Sequence, residues 1–187
     1  IWFDGESGVV HLTRNVILVD TQHDVQGIFL ELGAGPVMAD NNILVGPGAG
    51  SSAGVVAQDH SGANLGHNLI TEFNCAAVDL HGLTGRSNSL MKDWWLGGNM
   101  MLSGSQGPWL HMHGRKVFAG QDAIQNETAQ HNLYTGGNAS FPPNQPGDLN
   151  ITVGPNQNAT GSSFAVDIDR AGMVLSISGV FALKLRW

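Results

Sequence analysis

Basic residues are scarce in this chain. Eight Lys and Arg stand against 15 Asp and Glu, a net charge of −7, so there is no positive field to draw it to phosphate backbones or anionic lipid. Nucleic acid and membrane surfaces are therefore not expected as partners. Cysteine occurs once, at Cys75, which excludes an internal disulfide and leaves a buried structural thiol as the expected role. No apolar run approaches the roughly 18 to 20 residues of a membrane span, and residues 1–15 lack the basic start and apolar stretch of a signal peptide. Cys-x-x-Cys pairs and G-x-S-x-G elbows are missing. GPGAGSSAG at 46–54 has the glycines of a phosphate loop without its Lys or a following helix, and is a turn between strands.

What is present is glycine, 26 residues of it, with 42% apolar and only 12% charged residues in 187. Such a chain can bury one sizeable core, and its many turn formers suit short strands better than long solvated helices. The expected class is all-β. Four glycosylation sequons begin at Asn126, Asn138, Asn150 and Asn158. This cluster points to a secreted, extracellular glycoprotein.

Internal repetition is the strongest signal. RNVIL, NNILV, HNLIT, GNMML and HNLYT place Asn at 15, 42, 68, 99 and 132, at intervals of 27, 26, 31 and 33. Two strand-like runs per period of about 27 residues, without helical periodicity between them, predict a parallel β-helix, right-handed because parallel crossovers are. The recurring Asn is expected in a turn, where it tolerates a left-handed backbone and hydrogen-bonds its neighbours in a ladder.

A second repeat aligns IWFD at 1–4 with IFLE at 28–31 and VVAQ at 55–58. Alternation along a strand turns Ile1, Phe3, Ile28, Leu30, Val55 and Ala57 inward and Trp2, Asp4, Phe29, Glu31, Val56 and Gln58 outward. Adjacent strands lie about 4.7–4.9 Å apart, so Asp4 and Glu31 are expected side by side. Retaining glycosidases hold their two carboxyl groups about 5–5.5 Å apart, inverting ones about 6.5–9.5 Å, so this register predicts retention. Two carboxylates this close do not ionise equally, which suits a nucleophile and an acid/base. Solvating acids on a wet sheet face are the competing explanation.

The runs IWFDGESGVVHLTRNVIL, GIFLELGAGPVMADNNILVG and VVAQDHSGANLGHNLI together resemble the β-helix core of glycoside hydrolase family 120, the retaining β-xylosidases. In that family a motif like WLDW carries a nucleophilic Asp and the next rung, like LFxEVNHGPxLVDNN, the acid/base Glu. The resemblance covers residues 1 to about 140, with HMHGRKVF and HNLYTGGN matching more loosely. It implies Asp4 as nucleophile, Glu31 as acid/base, xylo-oligosaccharide as substrate and no cofactor. Because family members carry several hundred residues before this point, it also implies a C-terminal segment whose earlier rungs come from upstream chain or a second polypeptide; a homo-oligomer is possible. Departures are Gly5 in place of an aromatic, Gly33-Ala34 in place of Asn-His, and Gln58 where a further acid stands. Another pentose glycosidase such as an arabinofuranosidase, and a non-catalytic carbohydrate-binding β-helix, are the alternatives. A polysaccharide lyase, which would need a basic residue or calcium cluster near the cleft, ranks behind them, since no Lys or Arg is evident beside Asp4 and Glu31.

Around the acids, Trp2 is a candidate subsite wall, and Gln58, Asp59, His60, His81 and Arg86 are candidate substrate contacts. Trp94 and Trp95 could offer a stacking face, one of them packing into the core. His111 and His113 alternate on one strand face and could meet His81 or His131, but His-x-His without a convergent carboxylate or third His is a weak metal signature, and no metal is expected. From about Leu149 the period ends: ITVGP, SFAVDID, GMVLSIS and GVFALKLRW alternate with short turns, predicting antiparallel hairpins over 149–187 that cap or pack on the solenoid after the linker SFPPNQPGD.

Overall fold

In a computed structural model the described residues are 1–5, 8–19, 25–33, 35–81, 94–102, 107–113, 126–137, 140, 150–159, 165–178 and 183–186. They form strands and turns, and among them there is no helix long and apolar enough to cross a membrane.

The chain coils through three strands per rung. The first rung is β1 (Trp2–Asp4), β2 (Val10–Thr13) and β3 (Val16–Leu18); the second is β4 (Gln26–Glu31), β5 (Val37–Asp40) and β6 (Ile43–Val45). The third is β7 (Ala53–Gln58), β8 (Ala63–Gly66) and β9 (Leu69–Thr71); the fourth is β10 (Ala76–His81), β11 (Trp95–Gly97) and β12 (Met100–Leu102). The fifth is β13 (Leu110–His113), β14 (Asn126–Gln130) and β15 (Leu133–Tyr134), after which β16 (Asn150–Val153) and β17 (Gln157–Asn158) follow. Corresponding strands stack in parallel into a first sheet β1-β4-β7-β10-β13, a second sheet β2-β5-β8-β11-β14-β16 and a third sheet β3-β6-β9-β12-β15-β17. This is the parallel β-helix that the repeat predicts.

Three strands per rung, where two runs were expected, have one cause. The second and third strands are separated by only two residues, as at Asn41-Asn42, so in sequence they merge into a single run. The bend between them is made by a left-handed residue, and this is not the recurring Asn but the one before it. Arg14, Asn41, His67, Gly98 and His131 have φ of 58°, 56°, 54°, 64° and 57°.

The recurring Asn side chains turn inward instead and form the expected ladder. Oδ1 of Asn42 accepts from both the backbone N–H and the Nδ2 of Asn15 at 3.0 Å, and Asn68, Asn99, Asn132 and Asn156 repeat the pattern at 2.9–3.0 Å. The remaining Nδ2 hydrogen donates to a backbone carbonyl, of Leu12 for Asn42 and Ala39 for Asn68. Four of these amides, Asn42, Asn68, Asn99 and Asn132, are buried with every donor and acceptor engaged.

Inside the coil, Ile28, Leu30, Val55, Ala57, Val78, Leu80 and Leu110 from the first sheet meet Val37, Leu65 and Leu96 from the second and Leu44, Ile70 and Met101 from the third. Glycine serves close approaches between strands at Gly54 and Gly27. A Cβ on Gly54 would lie 2.4 Å from Ile70 Cγ2 and 2.6 Å from the Ala77 carbonyl oxygen, and one on Gly27 2.7 Å from the Gly54 carbonyl oxygen.

ITVGP departs from the expectation of an antiparallel hairpin. β16 adds in parallel to β14, in register from Asn126↔Asn150 to Ala129↔Val153. Asn156 explains this, because it supplies one more ladder amide 24 residues after Asn132 and so continues the coil past the linker. The solenoid unit accordingly spans Ile1–Gln157. The second unit, Asn158–Trp187, contains an antiparallel sheet of β18 (Ala165–Asp169), β19 (Val174–Ser178) and β20 (Leu183–Arg186), as the alternating runs predict. The Arg-Ala-Gly turn between β18 and β19 is fastened by Gly172 N–H donating to Asp169 Oδ1 at 2.8 Å.

Candidate active site

On the first sheet the register brings the two acids together. Trp2 pairs with Phe29, Phe3 with Leu30 and Asp4 with Glu31, while Glu31 continues to Gln58, Gln58 to His81 and His81 to His113. Ile28, Leu30, Val55 and Ala57 are buried as expected, whereas Ile1 lies exposed at the edge of the sheet. Asp4 is exposed and Glu31 half-buried.

Immediately after the column of Asp4, Glu31 and Gln58 the chain turns away through Gly5, Leu32 and Asp59, with φ of 62°, 54° and 55°. A left-handed conformation at a residue bearing a Cβ costs roughly 1–2 kcal/mol. Stacked rungs repeat it, so the acids stand at strand ends next to a fixed turn.

Both oxygens of Glu31 are held. Trp2 Nε1 donates to Oε2 at 3.1 Å and Gln58 Nε2 donates to Oε1 at 3.1 Å. Gln58 thus gives Glu31 a donor where an acid at that position would set a repelling charge. Trp2 is 63% exposed and stacks on Phe29 with centroids 6.0 Å apart and planes 19° from parallel. An exposed, flat apolar surface beside two carboxyl groups is suited to the C–H face of a pyranose. Phe29 was not among the expected site residues, although its alternation with Glu31 places it on the same face.

Other expected contacts fall elsewhere. Asp59 and His60 are 3% and 0% exposed, so neither side chain lies open on the sheet for a ligand to touch. The left-handed turn at Asp59 carries the chain inward, and the His60 ring lies edge-on to Trp94, whose indole N–H donates to the His60 carbonyl at 3.0 Å. Trp94 is the buried member of its pair; Trp95 is partly exposed on β11 of the second sheet, away from the acids. His131 belongs to the left-handed turn column between the second and third sheets and does not join His111. His81 continues the Glu31–Gln58 column, with Nε2 2.9 Å from Asp79 Oδ2. Arg86 and Asn138 lie outside the described residues, and among the sequons Asn158 has an exposed side chain on β17.

A second polar pair stands on the second sheet. Asp40 accepts from His11 and Thr13 across the strand pair and from Asn41 Nδ2 at 2.8 Å. The His11 hydrogen bond, then that of Asn41, hold its carboxyl below the ordinary value, against a smaller opposing effect of burial.

Comparison with protein-family models, with curated proteins and with solved structures yields no match to this chain.

Proposed function

We propose that the chain carries the two catalytic carboxyl groups of a retaining β-glycosidase acting on β-xylosides. One observation supports this above the rest: Asp4 and Glu31 are register partners on adjacent parallel strands, with both Glu31 oxygens held by Trp2 and Gln58. Strands at about 4.8 Å put outward carboxyl groups near the roughly 5–5.5 Å separation of double displacement and too close to admit a water between them.

In this mechanism Asp4 Oδ attacks the anomeric carbon while Glu31 gives its proton to the departing glycosidic oxygen, breaking the C–O bond and leaving a xylosyl ester on Asp4. Glu31, now ionised, takes a proton from water, whose oxygen attacks the same carbon and releases xylose and the Asp4 carboxylate. Trp2 and Phe29 bear the sugar's apolar face, and Gln58 and His81 extend the polar column toward further sugar units. The chemistry requires no metal or organic cofactor.

At the first rung Phe3, Val10, Leu12 and Ile17 pack on the core yet stay partly exposed. This reading therefore includes a further rung or a second polypeptide as their cover. It also includes secretion, with glycans on the sequons, which a mass shift on peptide-N-glycosidase treatment would reveal.

The test is mechanism-based labelling of the full-length protein with a 2-deoxy-2-fluoro β-xyloside bearing a good leaving group, followed by peptide mass spectrometry. A xylosyl adduct on Asp4 is the expected result. Absence of label together with failure to cleave ordinary β-xylosides would overturn the assignment and leave carbohydrate binding as the alternative.

A further inference from the structure

The first sheet carries a second cluster, two strands further along than Glu31. Asp79 of β10 is 5% exposed, so its carboxylate is withdrawn from water and must be compensated by what surrounds it. Its register partner on β13 is His111, whose Nδ1 lies 3.4 Å from Oδ1. The other oxygen, Oδ2, is 2.9 Å from His81 Nε2. Cys75, just before β10, completes the group: its Sγ, an Asp79 oxygen and a His111 ring nitrogen all lie within 4.8 Å of one another.

We infer that Cys75, Asp79 and His111 form a binding site for a divalent transition-metal ion of the zinc class. Zinc takes Cys sulfur at about 2.3 Å and His nitrogen or carboxylate oxygen at about 2.0–2.2 Å in a tetrahedron, which spaces its ligand atoms roughly 3.3–3.8 Å apart. From within 4.8 Å, side-chain rotations of about 1 Å close the set. A soft sulfur, an imidazole and one carboxylate form a mixed donor set that zinc accepts, whereas magnesium and calcium take oxygen ligands. Three protein ligands leave a fourth position for water or a ligand.

His81 has a separate part. Its contact with Oδ2 fixes the Asp79 carboxylate so that Oδ1 faces His111, the arrangement by which an outer hydrogen bond orients a metal-binding carboxylate. His81 is thus a positioning residue. Because Glu31 and His81 are separated by Gln58 in register, His81 lies about 10 Å from Glu31, and Asp79 and His111 lie farther still from the acid pair. The site does not depend on the glycosidase assignment.

The experiment uses the full-length protein, stripped with chelator and kept reduced, and titrated with Zn²⁺ alone in a calorimeter and with Co²⁺ in a spectrophotometer. One equivalent of Zn²⁺ is expected, together with a thiolate-to-cobalt charge-transfer band in the near ultraviolet. Cys75→Ser should abolish that band, His111→Gln should weaken Zn²⁺ binding at least tenfold, and His81→Gln should weaken it about 10- to 100-fold. His131→Gln, on the other side of the coil, should change nothing. His111 has a side chain 31% exposed, so its replacement should leave the fold intact, which circular dichroism would verify. Absence of stoichiometric binding, or binding indifferent to both Cys75→Ser and His111→Gln in folded protein, would overturn the site.

Discussion

The indole N–H of Trp2 donates to Oε2 of Glu31 at 3.1 Å, linking the strand that bears one acid to the other acid itself. With Gln58 on the opposite oxygen, Glu31 is gripped from the rung before and the rung after. Trp2→Phe keeps an aromatic ring beside Phe29 while removing this donor; Gln58→Ala removes the other. Each should lower kcat/KM on β-xylosides about 10- to 100-fold, the equivalent of a hydrogen bond to a charged group at roughly 1.5–3 kcal/mol. Steady-state kinetics on an aryl β-xyloside measures this, and wild-type rates in both variants would show that the grip has no part in catalysis.

Asn68 engages its neighbours above and below. Asn68→Ala removes the acceptor of the Asn42 backbone N–H and Nδ2, and the donor to the Ala39 carbonyl. Leaving a buried polar group without a partner costs about 1–3 kcal/mol. A loss of at least about 3 kcal/mol is expected in urea denaturation, more than for the same change at Asn15, at the edge of the column.

Gly54→Ala should destabilise through contact alone. The added methyl meets Ile70 Cγ2 at 2.4 Å and the Ala77 carbonyl at 2.6 Å, so the third and fourth rungs must separate. Overpacking of this kind costs about 1–3 kcal/mol. Thermal unfolding would register it, whereas Gly5→Ala, with open space around the Cβ position but φ of +62°, should show only the backbone cost.

Asp40 sets a pH dependence. Its carboxyl is held below its ordinary value of 3.8, so the folded state binds its proton less readily than the unfolded one. The resulting stability is fully present above that ordinary value and is lost as pH falls through the lower folded one. Wild type should exceed Asp40→Asn in stability at neutral pH and the difference should shrink in acid below the ordinary value. As the pair is open to solvent, added salt should also reduce the difference. Urea midpoints of both proteins across this range supply the measurement.

Much of the architecture was legible because a solenoid writes its contacts as a period. Asp4, Glu31 and Gln58 stand 27 residues apart, and with side chains alternating at a period of two their common face followed from counting. What stayed hidden was whatever the period does not encode. The left-handed position is filled by Arg14, Asn41, His67, Gly98 and His131, four different residue types, so it could not be told from the Asn beside it. Asp59 and His60 directly follow an outward-facing residue, yet the turn withdraws both. Cys75, Asp79 and His111 come together through a 32-residue register jump between Asp79 and His111, at a rung where loop length had already blurred the repeat.

The ladder amides also have a direction. From Asn15 to Asn156 each Nδ2 donates to the Oδ1 of the following rung, never the reverse. Six dipoles therefore lie head to tail along the coil, and each polarises the next. The column has a negative end at Asn15, so a chain stacking there must offer a donor, while at the other end the Asn156 Nδ2 already donates to the Ala129 and Gly154 carbonyls. The solenoid is in this sense a polar filament: a rung added beside Asn15 must run in the same sense, and an inverted copy would set oxygen against oxygen.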